Sequence, residues 1–413
     1  MPFLETCVVE EKARFCVAYE QGDMSMAELC RQYGVSRKTG YQVIDRWLAG
    51  GPAGLGARSH APRTCPHSLS AQQTQAVLGL RRVHPTWGPK KLKASLEMTQ
   101  PDLGWPAAST IGDLLARHGL SKTRPRRRRI APATQPFATC ASPNDLWSMD
   151  FKGWFRTLDG QRCDPFTLQD QASRFLLRLV PVGATNTDAV WAVLEAALRE
   201  FGLPRAIRSD NGPPFGSTGA GRLSALSVRL IKAGVMPDWI DPASPQQNGR
   251  LERMHRDLKA ETAKPPAQSL AGQARRFIAF RRIYNEERPH EAVGLVVPAS
   301  LYRASPRPWS GRLRSPDYGA DCQVRQVRGT GEIKWRGRLI YLNSALAGEP
   351  VGITQVAEDR WSVRFGPVLI GYFGLKGKLE RPQPMAAGGR RARDAFRSDG
   401  LPNQPETVTH HAG

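Results

Sequence analysis

The sequence predicts three unlike parts in one chain: helix-turn-helix units first, a mixed α/β domain in the centre, and a small all-β barrel last. Three observations predict it. Capped helical periods broken by a glycine turn occupy residues 10–50, and helical segments return over 69–120. Three apolar strand runs, then alternating helices and strands, fill 144–290. Short strand runs punctuated by glycine follow over 320–378.

Composition narrows the function class. The 413 residues carry a net charge of +22 with 40% hydrophobic content. That length allows several cores. The charge attracts polyanions, nucleic acid foremost, with an anionic membrane surface as the competing partner. No run of about 18 apolar residues and no basic-then-apolar leader occurs, so no membrane role and a cytoplasmic location are expected. The seven cysteines, at 7, 16, 30, 65, 140, 163 and 322, are odd in number and include no C-x-x-C pair. Such spacing disfavours a disulfide framework or a structural zinc site.

The first element, expected over 1–50, rests on "SMAELCRQYGVSRKTGYQVIDRWL". Ser25 and Glu28 have capping-box spacing, and Ala27, Leu29 and Cys30 form a buried side. Gly34 permits the turn, and Ser36 can cap a second helix with Val43, Ile44 and Trp47 inward. Arg37, Lys38, Tyr41 and Gln42 then face outward, where a recognition helix meets DNA. The competing reading is a plain helical hairpin. Gly40 reads as a blemish of about 1 kcal/mol in mid-helix.

A Pro/Gly-rich linker is expected over 51–68, then a second helical unit over 69–120, a further helix-turn-helix or winged helix ending near Gly119. The basic linker, 121–140, contains Arg126, Arg127, Arg128 and Arg129 between prolines. Such a tract builds no core; it neutralises phosphates or stays a solvated linker. In the central domain, 141–305, "DLWSMDFKGWF", "PFTLQDQ" and "RFLLRLVPV" read as strands. "NTDAVWAVLEAALREFG" is an amphipathic helix, "PRAIRSDNG" a strand, "RLSALSVRLIKAG" a helix and "PDWI" a strand. Two further helices follow, in "SPQQNGRLERMHRDLK" and "LAGQARRFIAFRRIYNEER". The barrel occupies 320–378, and 379–413 reads as a disordered tail.

Three acids stand out. Asp150 interrupts an apolar strand, where a charge is costly unless paired or metal-bound. Asp210 ends a short strand, where ligands gather in α/β sheets, although a turn residue before Asn-Gly is the duller reading. In the helix expected from 245, Ser244, Pro245 and Gln247 supply the start. Leu251, Met254 and Leu258 form its apolar face, with Glu252 beside that face. A weak salt bridge to Arg256 or Lys259 would account for Glu252 alone, but not for the aspartates. Two strand carboxylates and one helix carboxylate make an oxygen-only set suited to Mg²⁺ or Mn²⁺, as two ions.

Together, "WSMDFKG", "IRSDNGPPF" and "SPQQNGRLERMHRDLK" closely resemble the catalytic core of bacterial insertion-sequence transposases. That family shares the retroviral-integrase, ribonuclease-H-like fold. Asp150 and Asp210 are 60 residues apart, and Asp210 and Glu252 are 42 apart. The second gap exceeds the roughly three dozen residues usual in such motifs. Residues 216–227 are expected to absorb the excess. The resemblance implies Asp150, Asp210 and Glu252 as catalytic metal ligands, with Asn211 and Gly212 shaping the adjoining turn. It implies Gln247, Asn248 and Gly249 opening the helix against DNA, and His255, Arg256 and Lys259 holding DNA ends. Tyr284, Asn285, Arg288 and His290 are expected to be structural or DNA-facing. The implied activity is metal-dependent DNA cleavage and strand transfer on terminal inverted repeats and target DNA, by a homo-oligomer near the bacterial nucleoid, with no small-molecule substrate. An inactive DNA-binding regulator and an RNA–DNA hybrid nuclease are the alternatives.

Overall fold

The computed structural model of the protein describes residues 7–57, 69–121, 140–240 and 249–382, and the chain divides into two units, Met1–Leu69 and Ser70–Gly413. In the first unit, helices α1 (Val8–Gln21), α2 (Met26–Gln32) and α3 (Arg37–Gly50) follow the expected signals. The Ser25 hydroxyl accepts from the Glu28 amide while the Glu28 carboxylate accepts from the Ser25 amide, so α2 starts on a reciprocal cap. The Ser36 hydroxyl accepts from the Thr39 amide at 3.2 Å and starts α3. Phe15, Leu29, Val43 and Ile44 form the small core.

Gly40 is no blemish. It is buried, and a Cβ there would lie 2.6 Å from Cys30 Sγ and 3.1 Å from both Met26 Sδ and Phe15 Cζ. The glycine lets α3 approach its neighbours more closely than any side chain would allow. The expected linker also starts later. Residues Gly51–Leu55 form a 3₁₀ turn that buries Leu55 in the same core.

The second unit opens with α4 (Ala71–Val83), α5 (Pro89–Thr99) and α6 (Ala108–Arg117), and no strand occurs among the described residues from 69 to 121. Gly119 (φ 66°) ends α6 as expected. The basic tract Arg126–Arg129 lies outside the described residues.

The central sheet contains β1 (Leu146–Phe151), β2 (Phe155–Arg156), β3 (Arg162–Asp170) and β4 (Leu176–Val182). After α7 (Thr187–Phe201) come β5 (Ala206–Ser209), α8 (Ala225–Lys232) and β6 (Met236–Trp239). Strand β3 pairs antiparallel with β1, β2 and β4, while β1–β5 and β5–β6 are parallel. Alternation along the strands divides their side chains. Trp147, Met149, Phe166 and Leu168 meet α7 and α8 on one face. On the other face Leu176 and Leu179 meet α9 (Gly249–Thr262) and α10 (Leu270–Arg282). Leu251, Met254 and Leu258 are buried there, as their spacing predicts.

After the short helix α11 (Pro298–Leu301) come β7 (Gln323–Gln326), β8 (Glu332–Trp335), β9 (Arg338–Tyr341), β10 (Pro350–Ala357), β11 (Arg360–Phe365), β12 (Val368–Gly374) and β13 (Leu379–Glu380). They do not close into the expected barrel among the described residues. Five run in the order β13-β12-β11-β10-β7, and β8–β9 is a separate hairpin. This β region packs on the central domain. Ala220, Leu223, Val228 and Ile231 share one hydrophobic cluster with its strands, and the Asn343 amide donates to the carbonyls of Ala220 and Leu223. The residues expected to absorb the long Asp210–Glu252 gap therefore include a dock for the C-terminal sheet.

Candidate active site

Asp150 occupies the penultimate position of β1. Because Trp147 and Met149 face α7 and α8, alternation turns Asp150 toward α9. Its cross-strand partner is Thr167. Strand β5 runs parallel to β1, with Ser148 opposite Arg208. Two residues further along that register, Asp210 follows the end of β5 beside Asp150. Both acids thus lie at the carboxyl ends of adjacent parallel strands. The Asp210 carboxylate accepts from the Gly212 amide at 3.2 Å. The Asn211 amide group donates to the Ile240 carbonyl at 3.1 Å, so both residues brace the turn.

Electrostatics connect the three acids. Burial, and then the nearby charge of Asp210, push the Asp150 carboxyl up to about 7, and the charge of Glu252 adds to the rise. Burial also raises the Asp210 carboxyl. Glu252 stands on the exposed side of α9. Among the described residues, no three His, Cys, Asp or Glu side chains stand close enough together to enclose an ion. By donor chemistry the set suits a hard divalent cation: it offers carboxylate oxygens only, and a cation would offset the burial and the mutual repulsion that raise the half-buried Asp150 carboxyl.

His255, expected at DNA, is 5% exposed. The Thr167 hydroxyl donates to the Asp150 carbonyl at 3.0 Å, and its oxygen is 2.8 Å from His255 Nε2. With that hydroxyl hydrogen used, Nε2–H donates to Thr167 and Nδ1 carries the lone pair. Nδ1 lies 3.9 Å from Asp150 Oδ2. Burial, with Lys152 adding to it, pushes the imidazole down to about 3, so the ring is neutral near pH 7. The spacing held the signal: His255 follows Leu251 by four residues, on the buried stripe. Lys152 also escaped sequence reasoning. It follows Asp150 by two, hence on the same side of the strand path, and its charge acts on both Asp150 and His255.

Arg256 and Lys259 are exposed on α9, and Arg37, Lys38, Tyr41 and Gln42 are exposed on α3. Gln247, Asn248 and the helix start expected at 245 lie outside the described residues. Tyr284, Asn285, Arg288 and His290 hold the end of α10. The Asn285 side chain brackets both backbone groups of Leu176, Arg288 pairs with Asp257 at 2.6 Å, and the His290 ring contacts the Tyr284 carbonyl.

Comparison with known proteins follows this division. Residues 141–245 and 233–298 match integrase core domain models, 11–63 a helix-turn-helix domain and 39–115 a homeodomain-like domain. The 39.2 kDa protein of insertion element IS476 from Xanthomonas euvesicatoria is 30% identical, covering 59% of this chain and 67% of its own. The 31.7 kDa protein of insertion element IS407 from Burkholderia multivorans is 29% identical over 44% of this chain and 64% of its own length. The HTLV-2 integrase catalytic core domain, solved in complex with magnesium, is 15% identical, covering 40% of this chain and 99% of that one with a TM-score of 0.31.

Proposed function

This chain belongs to the integrase-core family of insertion-element transposases, and we propose that it binds its element's terminal inverted repeats, cleaves DNA there and joins the ends to target DNA. One observation carries the proposal: Asp150 and Asp210 stand side by side at the carboxyl ends of adjoining parallel strands, and Glu252 belongs to the helix packed on that face of the sheet. Asp150, Asp210 and Glu252 would hold Mg²⁺ or Mn²⁺, as two ions. Bound there, the ions would supply charge stabilisation at the phosphoryl oxygens undergoing displacement.

The chain's own residues do the positioning. Strand β1 fixes Asp150, and the hydrogen-bonded Thr167–His255 pair fills the space behind it without adding charge. Lys152, Arg256 and Lys259 hold backbone phosphates of the DNA end. Arg37, Lys38, Tyr41 and Gln42 read the repeats from α3. Gln247, Asn248 and Arg126–Arg129 are further proposed DNA contacts. In the reaction, water attacks phosphorus and a 3′-hydroxyl leaves with the proton. That hydroxyl then attacks a target phosphorus in line and displaces the target strand's own 3′-oxygen, which takes up the proton, with no covalent enzyme intermediate. Two paired ends call for a homo-oligomer on DNA.

The test is a strand-transfer assay with purified protein, labelled terminal-repeat DNA and Mn²⁺. Joined products that vanish with EDTA are expected. Repeat binding without nicking or joining at any protein concentration would leave a DNA-binding regulator instead.

A further inference from the structure

The C-terminal β region carries a pocket of about 240 Å³ between the β8–β9 hairpin and the segment after β12. Trp335, Trp361, Ile340 and Leu375 line it together with Arg336 and Arg338, and no acid is among its lining residues. The Arg336 guanidinium lies 4.7 Å from the centre of the Trp361 ring. Trp361 is itself stacked with Phe373 at 6.0 Å and 24°. The Arg338 guanidinium donates to the Lys376 carbonyl and keeps other donors for a guest. The buried Trp335 indole N–H has no hydrogen-bond partner.

The hairpin turn adds an independent sign. Arg336 (φ 45°) and Gly337 (φ 82°) both adopt the left-handed conformation, as the central residues of a type I′ turn do. Asn-Gly is the preferred pair there, and a long side chain in the first position is strained. Here the strained position presents an exposed guanidinium over an indole. Both indoles are buried, so the surfaces the pocket offers a guest are the exposed, planar Arg336 and Arg338 guanidiniums, the first of them backed by an indole. Such a site disfavours cationic guests and suits a planar base joined to a phosphate.

We propose that this pocket takes one unstacked nucleobase, with its phosphate held by Arg336 and Arg338. The proposal rests on the reading that DNA is the partner, and it adds a subsite remote in sequence from the three acids.

The test compares binding of the full chain to a blunt duplex and to the same duplex with a three-nucleotide unpaired overhang, at one salt concentration. The wild type is expected to bind the overhang about tenfold tighter. Arg336→Asn creates the preferred turn pair, so its melting temperature should not fall, yet its overhang preference should fall to about unity. Arg336→Lys keeps the charge and loses the plane; it should retain blunt-duplex affinity and lose the preference. Equal wild-type affinity for the two DNAs, or a preference surviving in either variant, overturns the pocket alone. Binding of neither DNA overturns the DNA reading with it.

Discussion

The strand side and the helix side of the candidate site are built differently. Asp150 and Asp210 sit at strand ends, partly buried, with carboxyls held above their ordinary range. Glu252 sits on the exposed side of α9 and reaches Asp150 through its charge. The strands fix two acids at a cost in stability, while the helix contributes a third with little burial. Chemistry that needs all three would treat them as equals; folding would not.

The largest expected effect tests that equality. Asp150→Asn, Asp210→Asn and Glu252→Gln should each reduce strand joining by at least about 1,000-fold, roughly 4 kcal/mol of transition-state stabilisation, while repeat binding changes little. A gel assay for joined products beside a binding titration separates the two. Joining retained by Glu252→Gln would break the proposed triad and leave Glu252 as a helix-surface charge.

Stability should divide the same residues. A carboxyl raised from 3.8 to about 7 contributes stability below its unfolded value, and that contribution is lost as pH rises through the folded value. Asp150→Asn removes this loss. It should melt higher than the wild type at pH 8, by an equivalent of about 2–4 kcal/mol, with the gap closing toward pH 4. Glu252→Gln, on an exposed helix face, should shift stability by only about 0.5 kcal/mol. Thermal melts across pH 4–8 that show no gap for Asp150→Asn would mean that ionising this carboxyl costs the fold nothing.

The contrast between buried and exposed positions extends to the first unit. Helix propensity alone predicts that Gly40→Ala stabilises by about 1 kcal/mol. The packing against Cys30, Met26 and Phe15 predicts the reverse, a loss of about 1–3 kcal/mol. A denaturation series on the variant decides between them. The smallest effect per residue belongs to Arg126–Arg129. Replacing all four with alanine should lower the log–log salt slope of DNA binding by about 3–4, and an unchanged slope makes the tract a passive linker.

The order of strands and helices in the central domain was readable because strand runs and helical periods alternate there without ambiguity. Asp150 was readable because a charge in an apolar strand demands a reason. The neighbourhood around it was less so. Helical spacing puts His255 near a boundary, and only the packing of β3 against α9 decides that Thr167 covers it. Gly40 looked costly because its benefit lies in two other helices. The all-β character of the C-terminal region was readable and its closure was not: short strands and glycine turns give local pairing, whereas closure depends on a long-range match between edge strands that no local pattern contains. Residues 51–55 resembled a linker because glycine and proline mark turns whether or not a neighbouring Leu55 is buried.

The shared dock between the β region and the central domain has a mechanical consequence. Residues 216–223 begin six positions after Asp210, and the Arg222 guanidinium reaches back to the Asn211 side chain at 3.5 Å. The far side of this strap is clamped by Asn343 and the apolar side chains of the C-terminal strands. A chain truncated before β7 would leave Leu223 and Ile231 with raw, sticky surface. In the intact protein the strap thus bridges the C-terminal sheet and the turn beside Asp210 through an unbroken run of contacts.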